Sequence, residues 1–197
     1  MKTVFYLIRH GESLANREGR LCGQTDLDLS PRGRRQARRT AGKFRSIPVD
    51  AVLSSDLLRA VHTAEAVAKL KGLPVQTEPG FREIFVGHWE GQPAADVAAR
   101  EPEALAAWRR ELKNVPDGET IRELCGRVRA ALDRAAAQYA GKTVVIATHA
   151  MPIRVLTCVL SGKPLEEAVK IPPAENASVT KIVLDEDGWH LEDAGLS

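Results

Sequence analysis

Short apolar runs rich in β-formers alternate regularly along the chain with longer segments of helical spacing. Four runs have the composition of buried strands, at residues 3–8, 51–53, 75–77 and 143–148. Helices are predicted mainly at residues 31–45, 56–71, 120–139 and 153–160. Such alternation favours a parallel sheet covered by helices. We therefore predict an α/β fold: a three-layer α/β/α sandwich with a mostly parallel central sheet and helices on both faces.

Several boundaries carry their own signals. Ser30 followed by Pro31 is typical of a helix N-terminus, with Ser as the cap and Pro at the first helical position. Asp56 is predicted to cap the second helix, which should end at Gly72. The last two runs, at residues 178–184 and 189–191, are predicted to form a closing hairpin.

The chain has 197 residues, which fits a single domain over residues 1–197. The alternation stops between residues 79 and 118, where Gly, Pro and Trp residues interrupt two short helical pieces. We predict that residues 79–118 form a small helical lid inserted in the domain. Phe85, Trp89 and Trp108 are candidates for apolar walls of a site below the lid or for its core.

Charge and cysteine content exclude several classes of protein. The formal net charge of +2 predicts no binding to nucleic acid or to a membrane. A basic run is assigned to a solvated helix face, because Ala37, Ala41 and Phe44 form an apolar stripe opposite it; the run comprises Arg32, Arg34, Arg35, Arg38 and Arg39. The three cysteines are scattered, which favours reduced thiols over disulfides or a zinc site. With no signal-peptide pattern and no long apolar stretch, we expect a cytoplasmic protein.

The residues that carry chemistry follow the predicted strands. Arg9 and His10 come directly after the first strand, and His149 follows the most apolar one. Arg59 lies in the first turn of the helix after the second strand. Because ligands bind at the carboxyl ends of strands in such sheets, we expect these four side chains to meet at one site.

Two arginines beside two histidines suit a phosphate group better than a metal ion, since a fixed guanidinium charge opposes a bound cation. We predict that His10 is the nucleophile, with its δ nitrogen held protonated by a nearby carbonyl and its ε nitrogen free to attack phosphorus. His149 is expected to be protonated and to stabilise charge, and Asn16 to add a neutral donor. Glu83 is the candidate acid for the leaving group, with a pKa raised by partial burial.

At this point the sequence resembles the histidine phosphatase superfamily, whose fold is called phosphoglycerate mutase-like. The resemblance covers nearly the whole chain and rests on five motifs in order. They are Arg9-His10-Gly11-Glu12 with Asn16; Gly23-Gln24-Thr25-Asp26 with Leu29-Ser30, Gly33 and Gln36-Ala37; Ser54-Ser55-Asp56 through Arg59 with Thr63-Ala64; Glu83 through Gly87 with Trp89-Glu90-Gly91; and Thr148-His149.

The resemblance implies a two-step reaction in which His10 becomes phosphohistidine while Glu83 first protonates the leaving group and then activates water. It implies a phosphatase of the histidine acid type with neither metal nor other cofactor. The expected partner is a small-molecule phosphate ester, and the expected assembly a monomer or homodimer. Gln24 and Thr25 are candidate substrate contacts. Ala150 replaces the family's usual Gly after the second histidine, and its backbone donor survives unless the position needs positive φ.

Three functions remain open at this stage. The short chain and Gly87-His88-Trp89-Glu90-Gly91 resemble the phosphatase branch, which includes alpha-ribazole phosphatases and broad-specificity phosphatases. A cofactor-dependent phosphoglycerate mutase would share the same core site but needs a closed, water-poor pocket. A non-catalytic phosphate-binding module is the alternative of another class, although such relatives usually lose the nucleophile or the acid.

Overall fold

The computed structural model describes residues 1–113 and 115–196, and its strands and helices alternate as predicted. The strands are β1 (Thr3–Arg9), β2 (Ala51–Ser54), β3 (Val75–Thr77), β4 (Thr143–Thr148), β5 (Val179–Asp185) and β6 (Gly188–Glu192). The α-helices are α1 (Leu14–Glu18), α2 (Pro31–Gly42), α3 (Leu58–Lys71), α4 (Ala94–Arg100), α5 (Pro102–Glu111), α6 (Ile121–Gln138) and α7 (Ala150–Leu160).

The strands form one sheet in the order β3-β2-β4-β1-β5-β6. Strands β1, β2, β3 and β4 run parallel, whereas β5 pairs antiparallel with β1 and β6 pairs antiparallel with β5. The mostly parallel sheet and the closing hairpin are therefore confirmed. The order places β2, β4 and β1 side by side, so their carboxyl ends share one edge.

Successive residues of β1 feed two separate cores. Phe5 and Leu7 lie in a buried cluster with residues of α6 and α7, while Tyr6 and Ile8 lie in a second cluster with residues of α3. This alternation is the period-two pattern of a strand covered on both faces. The three-layer α/β/α sandwich is confirmed.

The predicted solvated face of α2 is also confirmed. Its five arginines are exposed, while Ala37 and Ala41 are buried, as is Phe44 just beyond the helix. No helix in the described part of the chain is long and apolar enough to cross a membrane.

Some helix boundaries differ from the prediction. Asp56 does not cap α3, because its carboxylate accepts hydrogen bonds from Arg82 Nε (2.7 Å) and Nη2 (2.5 Å). The Leu58 amide, at the N-terminus of the helix, donates to Asp26 Oδ1 (2.7 Å) instead. Helix α7 begins at Ala150, three residues early, because Pro152 is tolerated in a first turn. Helix α2 ends at Gly42, whereas residue 45 was expected.

Residues 79–113 and 115–118 contain two short 3₁₀ turns, Pro79–Phe81 and Gly87–Trp89, followed by α4 and α5. Trp89 is fully buried and packs edge-on against Trp108, with ring centroids 6.2 Å apart. Both belong to the cluster that also holds α6 and α7. The segment therefore packs on the main core; its action as a lid stays a prediction.

Candidate active site

Three neighbouring strands deliver the predicted residues to one edge of the sheet. Arg9 pairs with Thr148 in the β1–β4 register, and the His10 amide donates to the Thr148 carbonyl (2.9 Å). His149 follows Thr148, and the His10 and His149 ring centroids lie 5.2 Å apart. The convergence predicted from the strand ends is therefore observed for both histidines.

A cavity of about 400 Å³ opens at this edge. Six of the predicted site residues line it: Arg9, His10, Asn16, Arg59, Glu83 and Ala150. Its size is in the range of pockets that bind small molecules. His149 is fully buried beside His10 and does not line the wall.

His10 is held in one tautomer by its neighbour. Its Nδ1 lies 2.7 Å from the Gly11 carbonyl, which can only accept, so Nδ1 carries the proton and Nε2 is free. Burial, followed by the charges of Arg59 and Arg9, holds the pKa of His10 well below its usual value. The ring is therefore neutral at neutral pH, which is the form that a nucleophile requires.

The two arginines of the site bond only to backbone carbonyls within the described residues. Arg59 is 1% exposed and donates to the carbonyls of Thr25 (Nη1, 2.8 Å) and Gly23 (Nη2, 2.6 Å). Arg9 Nη1 donates to the Ala174 carbonyl (2.5 Å), while its Nε is buried without a partner in the described chain. Carbonyls do not neutralise a guanidinium, so the site keeps a positive charge that suits an anion.

His149 contacts Ser55, which lies in the Ser54-Ser55-Asp56 motif but is not among the predicted site residues. Its Nε2 lies 2.9 Å from Ser55 Oγ, while its Nδ1 is buried with no partner among the described residues. Burial and the Arg59 charge hold the pKa of His149 well below its usual value. This direction corrects the expectation that His149 is protonated, because desolvation next to a fixed cation disfavours imidazolium.

Glu83 reaches the cavity from the segment after β3. Its Oε1 accepts from the amides of Ile84 (2.9 Å) and Met151 (3.2 Å), the latter in the first turn of α7. Burial raises the pKa of Glu83 above its usual value, although these amides and the two arginines oppose the shift. This is the predicted direction, and it favours a carboxyl that can exchange a proton closer to neutral pH than usual.

Asn16 is oriented by an asparagine that sequence reasoning missed. Asn16 Oδ1 accepts from the Ser13 amide (3.1 Å) and from Asn176 Nδ2 (3.2 Å). Asn176 Nδ2 also donates to the His10 carbonyl (3.1 Å). Because the Asn16 oxygen is used by these donors, its amide nitrogen is left to donate into the cavity.

Gln24 and Thr25 do not line the cavity. Gln24 Nε2 donates to the Glu83 carbonyl (3.1 Å), and Thr25 Oγ1 donates to Glu90 Oε2 (2.8 Å). These contacts join the loop after α1 to the segment that carries Glu83. The structure therefore gives both side chains a supporting position behind the site, whereas substrate contacts were predicted.

The Ala150 replacement fits its position. Among the described residues other than glycine, only Leu112, Asp117 and Ala177 have positive φ. Ala150 begins α7 without strain, so its backbone donor survives the loss of glycine.

The outer wall of the cavity contains both apolar and cationic side chains. Trp108 lies on this wall as well as in the core, so both of its predicted positions hold, whereas Phe85 is 39% exposed and does not line the cavity. The sequence did not single out the three further arginines of this wall: Arg20, Arg109 and Arg154. No motif marks them.

Two glycines let the loop that carries His10 lie directly on α2. A Cβ on Gly33 would stand 2.0 Å from the Glu12 carbonyl oxygen, and one on Gly11 would stand 2.4 Å from the Gly33 oxygen. The Ser30 amide donates to the same Glu12 carbonyl (2.8 Å). The backbones of the two segments are therefore in direct contact, and no flexible side chain lies between them that could move aside.

Gly33→Ala is expected to lower the free energy of unfolding by about 1–3 kcal/mol, because the loop must shift to admit the methyl group. Activity should fall with it, since the shift moves His10. Urea unfolding and steady-state kinetics measure the two effects. Gly42→Ala is the matched control in the same helix, where a Cβ meets nothing within 4 Å; a loss as large in this variant would contradict the packing explanation.

Known proteins resemble this chain over nearly its full length. Residues 5–196 match the model of a family described as histidine phosphatase superfamily (branch 1). A Yersinia pestis (strain Pestoides F) protein described as probable phosphoglycerate mutase GpmB is 33% identical over 201 residues, covering 96% of this chain and 91% of that protein. The structure of mycobacterial glucosyl-3-phosphoglycerate phosphatase Rv2419c superposes with a TM-score of 0.89 at 27% identity, covering 100% of each chain. The alpha-ribazole phosphatase from Shigella flexneri gives a TM-score of 0.85 at 28% identity, covering 96% of this chain and 94% of that one.

Proposed function

The chain belongs to the histidine phosphatase superfamily, and we propose that it is a phosphomonoesterase of the histidine acid type, acting on a small phosphorylated metabolite through His10. One observation carries the proposal. A neutral imidazole with a free Nε2 lines the same cavity as two arginines without carboxylate partners and a carboxyl of raised pKa. A phosphate dianion complements the arginines, and the other two groups supply a nucleophile and an acid.

In the first step His10 Nε2 attacks phosphorus, so that a P–N bond forms as the ester P–O bond breaks. The leaving alkoxide takes the proton of Glu83, which becomes a carboxylate. Arg9, Arg59 and the Asn16 amide hold the phosphoryl oxygens. His149 lies behind His10, with its ring centroid 5.2 Å away. Burial, followed by the Arg59 charge, holds its pKa low, so it supports the site as a neutral imidazole.

In the second step a water molecule attacks the phosphohistidine while the Glu83 carboxylate accepts its proton. The P–N bond breaks, inorganic phosphate leaves, and both His10 and Glu83 return to their starting states. The acid of the first step is thus the base of the second, which requires a carboxyl whose pKa lies closer to neutral than usual.

The cavity beyond the phosphate end supports an organic leaving group of metabolite size. Its wall includes Leu21, Ile84, Val86, Trp108 and Leu112, which give an apolar surface. Pockets of this kind bury most of a small ligand. The outer arginines add polar contacts without defining one substrate.

A phosphoglycerate mutase is the second candidate, favoured by the 33% identity to the Yersinia pestis relative described as one. The structural resemblance to two phosphatases favours hydrolysis. A non-catalytic phosphate-binding module is disfavoured because both the nucleophile and the acid candidate line the cavity.

Purified protein should hydrolyse p-nitrophenyl phosphate in the presence of EDTA, because no proposed step uses a metal. A screen over phosphorylated metabolites, with 2- and 3-phosphoglycerate interconversion assayed in parallel, distinguishes the candidates. Phosphate release exceeding interconversion supports the phosphatase. Interconversion without phosphate release would establish the mutase, and loss of hydrolysis on chelation would overturn the metal-free mechanism.

A further inference from the structure

Arg127 on α6 lies outside the cavity but makes the densest set of hydrogen bonds near Glu83. Its three nitrogens donate five hydrogen bonds, which equals the donor capacity of a guanidinium. Three go to the carbonyls of Gly80 (3.0 Å), Arg82 (2.8 Å) and Glu83 (2.9 Å), and two go to the Glu119 carboxylate (2.7 Å each). The side chains of Arg127 and Glu119 are largely buried, with exposed fractions of 26% and 13%.

Glu119 completes the support on the other side of Glu83. Its amide donates to the Phe85 carbonyl (2.8 Å), and its Oε2 accepts from the Phe85 amide (3.3 Å). The backbone is therefore fixed at residues 80, 82 and 83 by Arg127 and at residue 85 by Glu119. These contacts fix the backbone on both sides of the Glu83 side chain, which is proposed to transfer the proton.

The segment also packs directly on α6. A Cβ on Gly80 would stand 2.6 Å from the Ala131 Cβ, so glycine is needed for the close approach of the segment to the helix. The Glu83 carbonyl receives a second donor from Gln24 Nε2 (3.1 Å). A carbonyl held by two donors cannot rotate without breaking both bonds, so the start of the Glu83 side chain is fixed in space.

We propose that Arg127, braced by Glu119, is a positioning residue for proton transfer: it acts through the backbone of Glu83 to hold the carboxyl at the leaving-group oxygen. This inference rests on the proposed role of Glu83 as acid and base. A planar guanidinium is required because a lysine ammonium has three donors and cannot serve three carbonyls and a carboxylate together.

The test compares Arg127→Lys with Glu83→Gln on two substrates. p-Nitrophenyl phosphate has a good leaving group that needs little protonation, whereas glycerol 2-phosphate releases an alkoxide that needs the acid. Arg127→Lys should lower kcat/KM, which reports formation of the phosphohistidine, by about 10- to 100-fold for glycerol 2-phosphate and much less for p-nitrophenyl phosphate, because the misplaced carboxyl serves proton transfer to the leaving group poorly. The double variant Arg127→Lys/Glu83→Gln should be no slower than Glu83→Gln alone.

Arg122→Lys is the matched control on the same helix, where the side chain is 81% exposed, and it should behave as wild type. If Arg127→Lys fails to fold, Glu119→Gln decides the question, because it leaves Arg127 in place and should show the same substrate bias. Equal slowing of both substrates, or multiplying losses in the double variant, would overturn the positioning role while leaving the proposed function intact. Equal slowing by Glu83→Gln itself would overturn both.

Discussion

Asparagine in place of His10 is expected to lower kcat by a factor of about 10⁴ or more, which is the scale of loss when a covalent nucleophile is removed. The neighbouring His149 cannot substitute, because it is fully buried and does not line the cavity. The measurement is steady-state hydrolysis of p-nitrophenyl phosphate, with the fold checked by circular dichroism.

His190→Asn is the control, since this histidine lies on β6 at the far edge of the sheet with a side chain that is 39% exposed. It should retain wild-type turnover. A His10→Asn variant that stays folded and keeps a tenth of the activity would show that another group attacks phosphorus.

Glu83→Gln should reduce kcat/KM for alkyl phosphates by about 10²–10⁴-fold, the usual contribution of a positioned general acid. The glutamine oxygen can still accept from the Ile84 and Met151 amides, so the change removes the proton and leaves the local structure. For p-nitrophenyl phosphate, kcat/KM should fall by a smaller factor, because its leaving group needs little protonation. Equal reduction for both classes of substrate would contradict the acid role.

The same variant has a consequence for stability that depends on pH. Burial raises the pKa of Glu83 in the folded protein, so ionising this carboxyl costs more free energy in the folded state than in the unfolded chain. Its contribution is fully present below the unfolded pKa of about 4.3 and is lost as pH rises through the folded value. Because glutamine does not titrate, the free energy of unfolding of Glu83→Gln should gain on wild type as pH rises above about 4.3. A difference that stays constant from pH 4 to 8 would contradict burial as the cause of the shift.

The strand ends explain why much of the site could be predicted from the sequence. His10 and His149 each follow a strongly apolar run, and parallel strands bring their carboxyl ends together whatever the loops do. The orientation of His10 also follows from a local contact, with the Gly11 carbonyl one residue away. Such local and topological features leave a clear pattern in one sequence.

The supporting residues leave no such pattern. Ser55, Asn176 and Arg127 act through partners 94, 166 and 44 residues distant: His149, the His10 carbonyl and the Glu83 carbonyl. Ser55 lies in the Ser54-Ser55-Asp56 motif, which does not indicate its partner, and nothing in the local sequence distinguishes Asn176 and Arg127 from ordinary polar residues of loops and helices. Their function depends on long-range packing, which helical or strand periodicity does not encode.

Asp56 is a case in which a local sequence signal gave a wrong prediction. Its position before a helix predicts a cap, but the carboxylate binds the Arg82 guanidinium, Leu57 is the N-cap residue, and Asp26 accepts the hydrogen bond of the Leu58 amide. A charged tertiary partner outweighs a local preference worth about 1 kcal/mol. Helix boundaries inferred from caps are therefore reliable only where no nearby cation competes for the capping carboxylate.

If the phosphoryl group passes through His10, single-turnover trapping should capture it on that residue. The protein would be mixed with a ³²P-labelled phosphate ester, denatured in alkali within the first turnover, and digested for peptide mapping. We expect an alkali-stable, acid-labile label on the peptide that contains His10, decaying as phosphate appears, and no label in His10→Asn. Label on a different residue, or label that persists in His10→Asn, would contradict transfer through His10.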